Sequence, residues 1–234
     1  MEKKSRKKKT QRDQILDILR TKSCMKQDVY RSTIKLFVEI KEVLQVVAVD
    51  LEKEITQHDE RISVSFTDKG SSSCELKVAG DVIVFNMHTN VFRIDRENPL
   101  WKTDYLKEDE LRGFFGVVNI YNFLSDSFKY NRDRDLGYLI ARLFLNKDGH
   151  FFLQGKRQLD KLYTDLATNV MDSKKLQEIL LSVITYVLEF DLLAPPYDQV
   201  NQVTVSEMHE LNAPYLSTGK RLGFRSQSTF DPPA

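Results

Sequence analysis

The residues best suited to chemistry are Asp68 and the triplet Glu75-Leu76-Lys77, seven positions on. Two carboxylates can hold a divalent cation, and a nearby lysine can orient water or steady developing charge. Alternation along a strand puts Glu75 and Lys77 on one face, as metal-dependent hydrolysis requires. The competing reading makes the same pair a solvated strand face. His88 and His150 are placed for proton transfer, because imidazole titrates near neutrality. A general base also needs an orienting partner and a pocket, and neither stands beside them in the chain. A pairing of Cys74 with either histidine rests on residue type alone.

Over residues 68–77 the acid and the Glu-x-Lys triplet resemble the PD-(D/E)xK nuclease pattern. The resemblance implies a divalent metal and a nucleic-acid substrate, with Asp68, Glu75 and Lys77 as the catalytic set. The Pro-Asp element of the pattern is missing, and so is its alternating α/β context. Outside this alternative no cofactor and no metal site is expected. Nine glycines build no G-x-G-x-x-G turn, and Thr218-Gly219-Lys220 lacks the glycine that a phosphate loop needs before it. Cys24 and Cys74 lie 50 positions apart, and four scattered histidines show no i, i+4 pair, so zinc-ligand spacing is absent. A G-x-S-x-G elbow is absent too.

Charge is distributed unevenly. Lys3, Lys4, Arg6, Lys7, Lys8 and Lys9 put six cations into seven positions. Residues 1–12 carry a net +6 and the rest of the chain −5, although the whole sums to +1. Such density predicts a disordered head, and it suits phosphate contacts that release counterions. No apolar run approaches the roughly 20 residues of a membrane span, and Asp13 and Asp17 interrupt the only candidate signal core. The sparse cysteines point to a reducing compartment, and the chain is expected to be cytoplasmic.

The elements that must position these groups follow from periodicity. Residues 11–20 suggest a short helix. Val29, Phe37, Ile40, Val43, Leu44, Val47, Leu51 and Ile55 recur at three- and four-residue spacing and predict a long helix over 26–57. Ile62, Val64 and Phe66 then alternate with Arg61, Ser63 and Ser65, the period of a strand. Glu75–Val78, Val82–Phe85 and Val91–Ile94 continue an antiparallel meander, with reversals at Ala79-Gly80 and at His88-Thr89-Asn90. Later strands are expected over 117–123, 138–145 and 150–153. Leu176, Ile179, Leu180, Val183, Ile184, Val187 and Leu188 predict a C-terminal helix capped by Asp172 or Ser173.

The fold class is therefore α+β: an N-terminal helix, a mainly antiparallel sheet of six or seven strands, and C-terminal helices packed on one face. The expected organisation is a basic head over 1–12, one domain over 13–193 and a proline-bearing extended tail over 194–234. Along 117–123, Tyr121 and Phe123 share one face and Val118 and Ile120 the other. Both faces are partly apolar, so helices should cover one and a partner or the tail part of the other. The tail carries five of the six prolines, yet Val203, Val205, Met208, Leu211, Tyr215, Leu222 and Phe224 supply apolar contacts that a pure linker would lack. These features predict a non-catalytic binding or regulatory protein, acting through protein contacts of its sheet and tail, self-association included. The alternative is a nucleic-acid-binding protein or metal-dependent nuclease, with the basic head on phosphate.

Overall fold

The computed structural model of the chain describes residues 10–191, 194 and 196–212. Helix starts at Thr10, whose hydroxyl accepts from the Asp13 N–H while the Asp13 carboxylate accepts from the Thr10 N–H, both at 3.1 Å. Helix α1 (Gln11–Ile18) passes through a π-helical turn, Leu19–Ser23, directly into α2 (Cys24–His58). The expected gap between two helices is thus not a break. No proline or glycine interrupts the stretch, and the Thr21 hydroxyl donates back to the Asp17 carbonyl at 2.7 Å as the helix widens. α1 buries no residue, whereas α2 buries a stripe from Met25 and Val29 through Leu36, Phe37, Ile40 and Leu44 to Val47.

Seven strands follow among the described residues: β1 (Val64–Asp68), β2 (Ser73–Val78), β3 (Asp81–Met87), β4 (Phe92–Arg93), β5 (Phe114–Leu124), β6 (Tyr138–Asn146) and β7 (Phe151–Gly155). All pairs are antiparallel, in the order β1-β2-β3-β5-β6-β7, with β4 also on β5. The hairpin expected at residues 88–90 does not form. The His88 N–H continues the ladder onto the Val117 carbonyl at 2.8 Å, and β4 then pairs with Phe114–Phe115, the stretch of β5 that β3 leaves free. At the β2–β3 reversal the positive φ falls on Ala79, at +50°, rather than on Gly80. Between β4 and β5 the chain makes an excursion through α3 (Asp104–Glu108) and two 3-10 turns.

One sheet face packs on helices. Leu76, Ile83, Phe85, Val118, Ile120, Leu143 and Leu153 meet the α2 stripe and α5, the helix over Ser173–Leu188. Asp172 caps α5 by accepting from the Lys175 N–H at 2.8 Å. A β-bulge at Ile120/Tyr121 turns both Ile140 and Ala141 to this core and returns Leu139 to the other face. Where α2 crosses β5, Gly116 is required: a Cβ there would lie 1.8 Å from the Thr33 hydroxyl oxygen. Beyond α5 the chain is not wholly extended, since short helices α6 (Tyr197–Val200) and α7 (Val205–Asn212) form. No helix among the described residues is long and apolar enough to cross a membrane.

Candidate binding groove on the open sheet face

The second sheet face is only partly covered. At one end Phe115, Leu106 and Leu166 form a small core with Leu100 and Trp101 from the excursion. At the other, Phe123 packs edge-on against Phe128 of α4 (Ser125–Lys129), with ring centres 5.4 Å apart. Between these covers lies a groove of about 750 Å³. Its floor is β5, β6 and β7. One wall is the stretch from His88 to Leu100, and the other carries Asp160 and Thr164.

Register orders the open face, and the groove floor within it, in three rows. Directly paired residues share a face, so Ser73, Asn86, Asn119, Arg142 and Gln154 form one polar row across β2, β3, β5, β6 and β7. On one side runs a row of Val84, Tyr121 and Leu139, and on the other a row of Val117, Phe144 and Phe152. The Phe144 and Phe152 rings stack at 4.4 Å, 4° from parallel. Gln154 Oε1 accepts from Arg142 Nε at 3.0 Å and from Nη2 at 2.5 Å, which fixes the guanidinium over the sheet. The Arg142 Cζ stands 5.4 Å from the Phe144 ring centre. Arg142 makes no ion pair among the described residues, and neither do the half-buried Asn86 and Asn119 amides find a side-chain hydrogen bond among them.

The excursion between β4 and β5 is held by a buried hub. Asn146 Nδ2 donates to the Tyr105 hydroxyl at 3.0 Å and the Arg112 carbonyl at 3.3 Å, and its Oδ1 accepts from the Asp148 and His150 N–H groups at 3.0 Å. Tyr105 lies between the His150 ring, 4.7 Å away, and the Arg112 guanidinium, 4.4 Å from its centre. Burial raises the Tyr105 phenol, against the lowering effect of its bond with Asn146. Burial also favours protonated Asp148, but Lys147 and Arg112 outweigh it and hold the carboxyl below the usual range. In the same loop, Trp101 Nε1 donates to the Asp95 carbonyl at 2.7 Å.

The metal-type constellation is not assembled. Asp68 pairs with Cys74 and so lies on the helix side, where Lys41 Nζ reaches it at 2.6 Å. That bond, with the Gly70 N–H, holds the Asp68 carboxyl below its ordinary value. Glu75 and Lys77 share the opposite face, and Glu75 pairs with Lys69 at 3.1 Å. No group of three or more His, Cys, Asp or Glu among the described residues is arranged to hold a metal. Cys74 is fully buried on the helix side, and burial pushes its thiol up to about 12. His88 stands in the groove wall, and His150 Nδ1 lies 2.9 Å from the Leu166 carbonyl.

In the tail, Val203, Val205 and Met208 are 48%, 74% and 43% exposed. Tyr215, Leu222 and Phe224, the side chain of Leu211, and Lys3, Lys4, Arg6, Lys7, Lys8 and Lys9 lie outside the described residues. Sequence periodicity separates the Tyr121 face from the Ile120 face, but it does not reveal the polar row. Its members are single residues on five strands, central in β5 and β6 but at or near the strand ends in β2, β3 and β7, so they leave no local signal. No protein-family model, no curated protein and no solved structure matches the chain.

Proposed function

We propose that the protein is a non-catalytic binding protein that holds another polypeptide on the open face of its sheet. One observation carries this: a polar row of amides and a guanidinium runs between two apolar rows in a walled groove. Interfaces combine buried aromatic and arginine anchors with a few placed polar groups, and this floor has that composition. The exposed Val203, Val205 and Met208 offer a second apolar contact surface. The cysteines do not pair, Cys24 being exposed and Cys74 buried, which suits a reducing compartment such as the cytoplasm.

The test is selection of ligands from a random-peptide display library on the full chain. Counter-selection uses an Asn119→Ala/Arg142→Ala variant with unchanged thermal unfolding. Ligands that bind the native chain and not the variant are expected. Equal recovery on both proteins removes the sheet face as the binding surface.

The six cations of residues 3–9 favour a second contact, with nucleic-acid phosphates. Binding of a mixed-sequence oligonucleotide at two salt concentrations tests it. A steep salt dependence that is lost on deleting residues 1–9 is expected, and a flat response contradicts it.

A further inference from the structure

The geometry points to an extended segment of a partner chain, lying across the strands along the Asn86–Asn119–Arg142–Gln154 row, with a carboxylate seated on Arg142. This rests on the protein-binding reading above and specifies its ligand.

Three features choose an extended backbone. First, carboxamides offer a donor and an acceptor side by side, which is what a peptide unit presents. A helix uses its own N–H and C=O groups internally and has little to give Asn86 and Asn119. Second, an extended chain sends successive side chains to opposite sides. Laid along the polar row, it delivers them alternately to the Tyr121/Leu139 side and to the Phe144/Phe152 side, both of which line the groove. Third, the row has the length of a short segment. From Asn119 to Gln154 it crosses the three strands of the groove floor, and Asn86 extends it onto β3 beyond the lining. At roughly 4.8 Å per strand the four residues span about 14 Å, the reach of about four extended residues.

Charge decides the remaining chemistry. The lining holds Arg93 and Arg142 against Asp95 and Asp160, so it balances and does not suit a phosphate-rich strand. Within that balance Arg142 is the cation on the floor. Gln154 engages its Nε and Nη2, Nη1 has no partner among the described residues, and no acid of that set pairs with it. Arg93, by contrast, is taken up by Glu110 at 3.1 Å and by the Trp101 ring. A guanidinium so oriented fits one planar carboxylate. An acidic side chain and a free C-terminus supply the same group.

The experiment takes peptides selected on the full chain and measures each by calorimetry, with every carboxylate converted in turn to its amide, the C-terminus included. Sequences with apolar residues at alternate positions are expected. One carboxylate-to-amide change should weaken binding to the native chain about tenfold to hundredfold, the range of a charge-assisted bond. The same change should have less than about twofold effect on Arg142→Met, since the coupled partner is gone. Arg142→Lys keeps the charge but loses the fork, and should bind at an intermediate level. Which carboxylate responds separates an acidic side chain from a C-terminus. Ligands that depend on Asn119 and Arg142 but carry apolar residues at helical spacing, or show no carboxylate coupling, overturn this inference and leave the protein-binding reading standing. Absence of any groove-dependent ligand overturns both.

Discussion

Asn146 joins two parts of the molecule through one side chain. It is fully buried and makes four hydrogen bonds, to the excursion and to the β6–β7 turn. Replacing it with alanine strands buried donors and acceptors on both sides. Asn146→Ala should therefore cost about 2–6 kcal/mol, counting roughly 0.5–1.5 for each of the four hydrogen bonds lost. Urea denaturation measures this, and a variant as stable as the native chain contradicts the role. The neighbouring Asp148 adds a pH dependence. Its folded pKa is depressed by Lys147 and Arg112 against the opposing effect of burial. Its contribution is present above the unfolded value of about 3.9 and is lost as pH falls through the folded one. The native chain should lose melting temperature more steeply below about pH 4 than Asp148→Asn. Parallel pH profiles for the two proteins contradict it.

Among the elements, the approach of α2 to β5 is the tightest constraint. Thr33 is buried over Gly116, and its hydroxyl donates to the Val29 carbonyl at 2.8 Å. Gly116→Ala forces helix and sheet apart and should destabilise by about 1–3 kcal/mol. Adding Thr33→Ala should recover part of that loss, because the two residues share one contact. Simple additivity would show that the contact does not limit packing.

How much of this was readable in advance differs by element. β1 and β2 follow from alternation, β3 from a short apolar run between turn signals, and α5 from the wide apolar set between Leu176 and Val187. The pairing of β4 does not follow, because it depends on β5 being 11 residues long and on where β3 stops along it. The π-helical join is equally silent, since widening a helix leaves the apolar spacing on either side intact. Of the candidate residues, Glu75 and Lys77 do share a face, as alternation requires. Asp68 does not join them, because residues 68 and 75 differ in parity once the turn sets Thr67 opposite Glu75. The polar row needs four strand registers before its members align, and the flanking Tyr121–Leu139 pair needs a bulge as well, which no local pattern encodes.

At the scale of the whole molecule, two sheet faces have different tasks. One is sealed by α2 and α5 around Phe37, Phe85 and Ile120 and carries the stability. The other is sealed only at its ends and leaves a groove whose polar row finds incomplete partners within the chain. The net charge of +1 divides along the sequence, with +6 in residues 1–12 and −5 in the remainder. Binding on the open face is tested by the affinity of one selected peptide for the native chain and for Asn119→Ala/Arg142→Ala, by calorimetry at constant fold. A loss of about a hundredfold or more is predicted, from two hydrogen-bonding contacts of which one is charged. Equal affinities for the two proteins would contradict it.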